Sequence, residues 1–411
     1  MQPNFKEYIG AATGIDYFVG DADRVLNMED TRAMPPFSDK VVNFFNDLSK
    51  LLLKKGRAFS DVVTFAFWCR KASLEAYKKK YDDIHARLGR GIIFHSTPSN
   101  VPVNFAFSFA AGLLAGNANI VRLPAKDFEQ VGIICDAINE LIADRHKEIA
   151  PYVVMLKYGM IQEASDCFSS ICDTRVVWGG DNTVNGMRRS PIKPRATEIA
   201  FADRHSIAVI NVDAYEKAED KQAIADDFYN DTYFSDQNAC TSPRLIVWYG
   251  ANKDAGKTAR AKSEFWNILH YKAKEKNYEL APVQAVGKLT ALYKAASAYS
   301  VDKEDDLGDN LIMRVRVDSI DADLMKYKYN SGFFFEYDTD SLQDVMPCCN
   351  EPCQTLSYFG FDAEQLRKEI VSYAPRGIDR IVPIGKTMDF DLIWDGHDLI
   401  RELSRKIGIR E

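Results

Sequence analysis

Through the first ninety or so positions, apolar residues recur at spacings of three and four. Over 41–53 and 60–81 this spacing predicts amphipathic helices. The second run ends in Lys78-Lys79-Lys80, a solvated face whose cations suit the carboxyl end of a helix dipole. From Gly91 the pattern changes to short apolar runs separated by helix-length stretches. Gly91-Ile92-Ile93-Phe94-His95 and Asn119-Ile120-Val121-Arg122-Leu123 read as buried strands, as do 152–156, 174–178 and 206–212. Helices over 103–115 and 127–145 lie between them. Strands alternating with helices of this length predict a parallel, doubly wound α/β sheet, with ligands at the carboxyl ends of its strands.

A second unit is expected to begin near 213–226, with strands over 244–249, 313–317 and 332–337 and a long polar helix over 257–276. From 378 a strand and turn (380–385) precede a closing helix that starts at Asp398. The domain reading is therefore a helical segment 1–90, a first sheet domain 91–212, a second α/β domain 213–377 and a tail 378–411. No internal repeat or low-complexity segment interrupts it.

Composition narrows the class. The 411 residues are 46% hydrophobic and 27% charged, enough to bury a sizeable core and unlike a disordered, collagenous or coiled-coil chain. The net charge of −7 gives little counterion release on a polyanion, so no nucleic-acid partner is expected. The most apolar stretch, 105–115, falls short of the roughly 20 residues of a membrane span. The start lacks the basic and then apolar order of a secretory leader. Eight cysteines without regular spacing suit a reducing cytoplasm better than a disulfide framework. The expectation is a soluble, cytoplasmic enzyme.

Several residues could carry chemistry. Cys240 lies in Phe234-Ser235-Asp236-Gln237-Asn238-Ala239-Cys240-Thr241-Ser242-Pro243-Arg244, directly before a strand. A reactive cysteine needs its thiolate stabilised, and turn amides or a nearby dipole can do that. Taken alone, a cysteine in a polar loop is more often inert. Asn100, in Pro98-Ser99-Asn100-Val101-Pro102, either donates to a developing oxyanion or bonds its own turn. Trp178-Gly179-Gly180-Asp181 follows a strand, with Thr183 and Val184 opening a helix; paired glycines there admit a phosphate or simply make a tight turn. Arg122 and Lys126 follow the second strand, where a ribose or 2′-phosphate lies in a doubly wound fold, although each is singly an ordinary surface cation. Cys348-Cys349 with Cys353 suggests a metal cluster, but no histidine is near in sequence and prolines mark a loop. Asp389, Asp391 and Asp395-Gly396 resemble part of a calcium loop that apolar residues interrupt. No metal is expected.

Taken in order, the pieces form a signature. Pro98-Ser99-Asn100-Val101-Pro102, Gly112-Leu113-Leu114-Ala115-Gly116-Asn117 and Ile120-Val121-Arg122-Leu123-Pro124 resemble the core of the aldehyde dehydrogenase superfamily. Asp236 to Arg244 is similar to its Gly-Gln-x-Cys segment, and Gly179-Gly180-Asp181 falls where that superfamily has its cofactor-side glycine turn. The tail Arg380-Ile381-Val382-Pro383-Ile384-Gly385, followed by Trp394-Asp395-Gly396, resembles the acyl-CoA reductase family, which includes the fatty acid reductase component of bacterial luminescence systems. The resemblance runs from about Gly91 onward, with a divergent N-terminal segment.

The resemblance implies an aldehyde dehydrogenase-like fold: a nicotinamide-binding domain over 91–212, a catalytic cysteine domain over 213–377, and a tail returning to the cofactor domain or to an oligomer interface. It implies that Cys240 attacks a fatty acyl-CoA or acyl-carrier thioester, with Asn100 and the Cys240 amide as oxyanion hole. The resulting acyl-enzyme is reduced to an aldehyde. Ser99, Arg122, Lys126, Gly179, Gly180 and Thr183 are the implied cofactor contacts. Two departures matter. Aligning on the strand that follows puts Phe201 where aldehyde-oxidising members have the glutamate that activates water, and Glu198 stands three residues early. Arg122 replaces the usual lysine, and a permanently charged fork suits a phosphate, so NADPH is expected, with NADH as the alternative. The competing readings are an NAD-dependent aldehyde dehydrogenase and an acyl-binding or scaffold subunit without cofactor chemistry. A homo-oligomer and an acyl-activating partner subunit are also implied.

Overall fold

The computed structural model describes residues 5–11, 14–99, 101–304 and 307–410. The chain forms two units: 1–202 joined by 391–411, and 203–390. The first holds a sheet of β1 (Ile15–Val19), β2 (Ile92–Ser96), β3 (Ala118–Arg122), β4 (Val153–Tyr158), β5 (Thr174–Trp178) and β6 (Thr197–Phe201), in the order β1-β4-β3-β2-β5-β6. All pairs are parallel except β1 with β4. The chain steps from β2 outward to β4, then returns to the other side of β2 to lay down β5 and β6. The strand order therefore reverses between β2 and β5, where a doubly wound sheet opens a crevice at its carboxyl ends.

The periodicity reads well where an element is long and one-sided. Helix α1 (Asp39–Lys55) buries Val41, Val42, Phe44, Phe45, Leu48 and Leu52. Helix α2 (Asn104–Leu114) is apolar all round and buried nearly all round, as a helix between sheet and outer layer must be. The run over 60–81 is two helices, Ser60–Trp68 and Lys71–Lys78, because Arg70 leaves the helical region. Its guanidinium lies 3.8 Å over the Phe67 ring, and Trp68 Nε1 donates to Tyr77 Oη across the break at 3.2 Å.

In the second unit, β7 (His205–Asn211), β8 (Pro243–Tyr249), β9 (Val301–Lys303), β10 (Met313–Val317), β11 (Phe333–Thr339), β12 (Cys353–Phe359) and β13 (Arg380–Pro383) pair in the order β9-β10-β11-β8-β7-β12-β13. Alternation along the strands builds two cores. Ile207, Val209, Leu245, Val247, Val315 and Phe335 face one side with Leu292 and Ala295. Ala208, Ile210, Ile246, Trp248 and Phe334 face the other with Phe228, Phe265 and Trp266. Burial on both faces is what a parallel sheet requires.

Three boundaries differ from the sequence expectation. The strand read as the last of the first domain is β7, and it lies between β8 and β12 in the second sheet. An evenly apolar strand carries no mark of which sheet it joins; its hydrogen-bond partners decide. The first sheet is completed instead by β1 and β6, whose half-buried alternation escaped detection. The tail is also divided. Strand β13 stays beside β12, whereas the closing helix is only Leu399–Glu402 and leads to Ser404–Lys406, which pairs antiparallel with Arg87–Gly89 in the first unit.

Candidate active site

In the first unit the sequence-selected residues gather at the carboxyl ends of the strands. Ser99 is exposed just beyond β2; Asn100 lies outside the described residues. Thr97 Oγ1, on the same loop, donates to Arg122 O at 2.6 Å and ties it to the end of β3. The Arg122 guanidinium lies 4.2 Å over the Tyr158 ring and donates to Gly159 O at 3.0 Å and Tyr158 O at 3.3 Å. Its hydrogen-bond partners are backbone carbonyls, and among the described residues no carboxylate pairs with it. Lys126 is exposed.

Gly179 follows β5 directly, and its N–H donates to Phe201 O at 3.1 Å. A Cβ there would lie 2.9 Å from the Cβ and Cγ2 of Thr183, so the close turn needs glycine. Gly180 is the N-cap of α3 (Asp181–Met187), which opens two positions earlier than Thr183, the expected start. Thr183 is exposed within its first turn, its N–H bonded to Gly180 O at 2.8 Å.

Beneath these ends lies a network that sequence reading missed. The fully buried His95 bonds Ser108 Oγ at 2.8 Å and Asn119 Oδ1 at 3.0 Å, and Trp178 Nε1 donates to the same Ser108 Oγ at 2.9 Å. Burial pushes the His95 pKa down to about 4, so the imidazole is neutral and acts as a strut across β2, β3, α2 and β5. The only signal was a histidine within an apolar strand.

Glu198 is fully occupied. Its Oε2 accepts from Arg175 Nε at 2.8 Å and from Arg175 Nη2, and its Oε1 accepts from Arg188 Nε at 2.8 Å. Both of its carboxylate oxygens are thus engaged by guanidinium groups. Phe201, where an oxidising enzyme's glutamate would align, stacks on Trp178 with centroids 3.7 Å apart.

In the second unit Cys240 ends a turn ahead of β8, at the amino edge of its sheet. It is half-buried, whereas the other seven cysteines are buried. Asp236 and Gln237 both adopt left-handed backbone (φ 51° each), a conformation that costs an ordinary residue about 1–2 kcal/mol. Gln237 is held there by its own amide: Gly332 N donates to its Oε1 at 2.7 Å, and its Nε2 donates to Pro243 O at 3.1 Å. Asn330 Nδ2 donates to Asn238 Oδ1 at 2.6 Å, and Ser206 Oγ donates to Cys240 O at 2.8 Å. The turn is thus fastened to β7, β8 and the segment entering β11. The Asp236 carboxylate accepts from Tyr278 Oη, from Gln284 Nε2 at 2.9 Å and from Ser331 Oγ at 3.1 Å.

Arg244, noted in sequence only as the end of a motif, is buried on β8. Its Nη1 donates to Tyr329 O at 2.7 Å and to Asn330 Oδ1, and its Nη2 donates to Gln237 O. Burial pulls its pKa down to about 10, while Cys240 and Asp236 act to raise it.

The other clusters do not assemble a metal centre. Cys348 and Cys349 donate to Val345 O at 3.1 and 3.3 Å, and Cys353 is buried in β12. Asp389 pairs with Lys386 at 3.2 Å and Asp391 with Lys80 at 3.6 Å. Among the described residues no three His, Cys, Asp or Glu side chains are arranged to hold a metal ion, and no helix is long and apolar enough to cross a membrane.

Comparison with known proteins bears on the same two units. The long-chain acyl-protein thioester reductase of Aliivibrio fischeri is 20% identical over 371 residues, covering 89% of this chain and 73% of that protein. Its Vibrio harveyi counterpart is 23% identical over 325 residues, covering 77% of this chain and 63% of that protein. A crystal structure of an NAD-dependent benzaldehyde dehydrogenase from Corynebacterium glutamicum superposes with a TM-score of 0.57 at 14% identity, over 94% of this chain and 87% of that one. The fold is therefore that of the aldehyde dehydrogenases. The family described as acyl-CoA reductase (LuxC) matches residues 18–306, so the N-terminal helical segment, read from sequence as divergent, lies largely within it. With that match spanning well over half of its length, the chain belongs to the acyl-CoA reductase (LuxC) family.

Proposed function

We propose that this protein reduces an acyl thioester to an aldehyde, with NADPH as reductant and an acyl-Cys240 intermediate. The observation that carries the reading is Cys240 itself: the one half-exposed cysteine among eight, on a turn fastened from three sides beside a buried cation. The Cys240 thiolate attacks the carbonyl carbon of the incoming thioester. The bond to the donor sulfur breaks, and CoA or a carrier thiol leaves. A hydride and a proton then convert the acyl group to a thiohemiacetal, and as its hydroxyl gives up a proton to solvent the bond to Cys240 breaks, which releases aldehyde and restores the thiolate. The Cys240 amide, together with Asn100, supplies oxyanion donors.

The nicotinamide cofactor supplies the hydride when bound. Ser99, Gly179, Gly180 and Thr183 are suited to hold it, because they lie at the strand ends flanking the reversal of strand order and Gly179 leaves no room for a side chain. Arg122, without a carboxylate partner among the described residues, favours a 2′-phosphate, with Lys126 nearby in sequence. The occupied Glu198 and the stacked Phe201 speak against a hydrolytic aldehyde oxidase, which needs a base at this stretch. The relatives are named for acyl-protein thioesters, which makes a carrier-bound acyl group a donor alongside acyl-CoA and leaves room for an acyl-activating partner subunit. Self-association of the chain is part of the same reading.

The test is mass spectrometry of the protein incubated with a panel of acyl-CoAs, without nicotinamide. One acyl mass mapped to Cys240, discharged as aldehyde on addition of NADPH, is the expected result. C240A should form no adduct and lose at least about 10³-fold in turnover. Full activity in C240A would overturn the reading.

A further inference from the structure

Arg244 is a buried cation in want of an anion. It is 6% exposed, and its hydrogen-bond partners among the described residues are two backbone carbonyls and one amide oxygen. Among the described residues it makes no ion pair, in contrast to Arg175 and Arg314, which are as deeply buried and each hold a glutamate. A guanidinium taken out of water with only neutral acceptors leaves part of its desolvation cost uncompensated. The near carboxylate, Asp236, is spent on Tyr278, Gln284 and Ser331. What remains within electrostatic reach is the sulfur of Cys240.

We propose that Arg244 is a positioning residue for Cys240: its guanidinium closes the turn that carries the sulfur and supplies the positive charge that favours the thiolate. The inference rests on the reading of Cys240 as nucleophile. The fork does both tasks at once. One arm grips Gln237 O within the turn, and the other grips Tyr329 O and Asn330 Oδ1, whose Nδ2 in turn holds Asn238. A charge displaced from its anion by a few ångströms in a low-dielectric setting still shifts an ionisation equilibrium. The other charged and titratable groups around the turn include Asp236 on the turn itself, Tyr233, Tyr278 and Asp309, and Lys288, which is buried and donates to Asn310 O, to Ser331 O at 2.7 Å and to Leu311 O at 3.4 Å. Lys288 likewise has only carbonyl partners among the described residues, but its charge acts on Asp236 and Asp309, whereas that of Arg244, whose fork grips the turn itself, acts on Cys240.

The measurement is the pH dependence of Cys240 alkylation by iodoacetamide on the full chain, read by peptide mass spectrometry at Cys240, with circular dichroism to verify folding. In R244Q the alkylation midpoint should move up by about one pH unit, giving roughly tenfold slower alkylation at neutral pH. R244K keeps the charge but not the fork, so its midpoint should stay near that of the native chain. A folded R244Q with an unchanged midpoint overturns the proposal, since removing a charge that favours the thiolate must move its ionisation. If R244Q does not fold, R244K decides: a midpoint shifted upward there overturns the proposal, and a native midpoint with slower acyl transfer supports it. Absence of an acyl adduct at Cys240 in the native chain would overturn the functional reading while leaving the alkylation result to stand on its own.

Discussion

The two units carry their candidate chemistry at opposite ends of their sheets. In the first, Ser99, Arg122, Gly179 and Gly180 follow the carboxyl ends of β2, β3 and β5. In the second, Cys240 precedes the amino end of β8. Carboxyl ends open a crevice where strand order reverses, which suits a long ligand laid across the edge. The amino edge of β8 offers instead a strained turn that neighbouring loops can fix from several sides, which suits one atom that must not wander. The buried arginines beside these two sites differ in the same sense. Arg175 is matched to Glu198, whereas Arg244 has no carboxylate partner among the described residues, although Arg314 elsewhere in the second unit is matched to Glu336. A neutralised buried charge is architecture; an unneutralised one is available to chemistry.

The sharpest way to break this comparison is to unpair the matched charge. Glu198→Ala strands Arg175, which is 3% exposed, and should cost about 3–5 kcal/mol of stability in denaturant titration. If Glu198 were instead a catalytic base, the same variant would lose activity at unchanged stability.

A smaller effect comes from pH, where the two units should respond in opposite directions. His95 has a folded pKa near 4 against 6.5 unfolded, because burial penalises its charge. Its contribution is complete above pH 6.5 and is lost as pH falls toward 4, about 3 kcal/mol in all. Asp231, buried while accepting from Gly385 N at 2.7 Å and Thr387 N at 3.1 Å, has its folded pKa raised by burial from 3.8 to about 6. The folded state therefore binds this proton more tightly, and acidification from pH 6 toward 4 returns about 3 kcal/mol. Denaturant midpoints across pH 4–7 should lose the acid-side fall in H95Q and the acid-side gain in D231N. Parallel profiles for variant and native chain would refute either assignment.

The smallest expected effect sharpens the cofactor side. R122L should raise KM for NADPH by roughly tenfold, with a lesser change for NADH, as loss of one charge-assisted phosphate contact would. Equal changes for both cofactors would remove Arg122 from 2′-phosphate recognition.

Much of this molecule was legible in one dimension. The apolar runs gave β2, β3, β5, β8 and β10 nearly residue for residue, because a strand buried on both faces has few polar positions to blur its ends. The residues on which the family resemblance rests, from Pro98 to Pro124 and from Asp236 to Arg244, are contiguous, so a chain read without coordinates still displays them. Local sequence thus determined the class of fold and singled out the cysteine proposed as nucleophile.

Only the tertiary structure decided what depends on partners distant in sequence. Strand β7 joined the second sheet because its hydrogen-bonding edges meet β8 and β12. Glu198 is tied into an ion-pair network because Arg175, twenty-three residues away, and Arg188 close on both its oxygens. Arg244 gained a role because Gln237, Tyr329 and Asn330 offer it oxygens without a carboxylate charge. Periodicity registers which side of an element is buried. It does not register which charge meets which, because the energy of a buried ion is set by whatever the fold brings within a few ångströms of it.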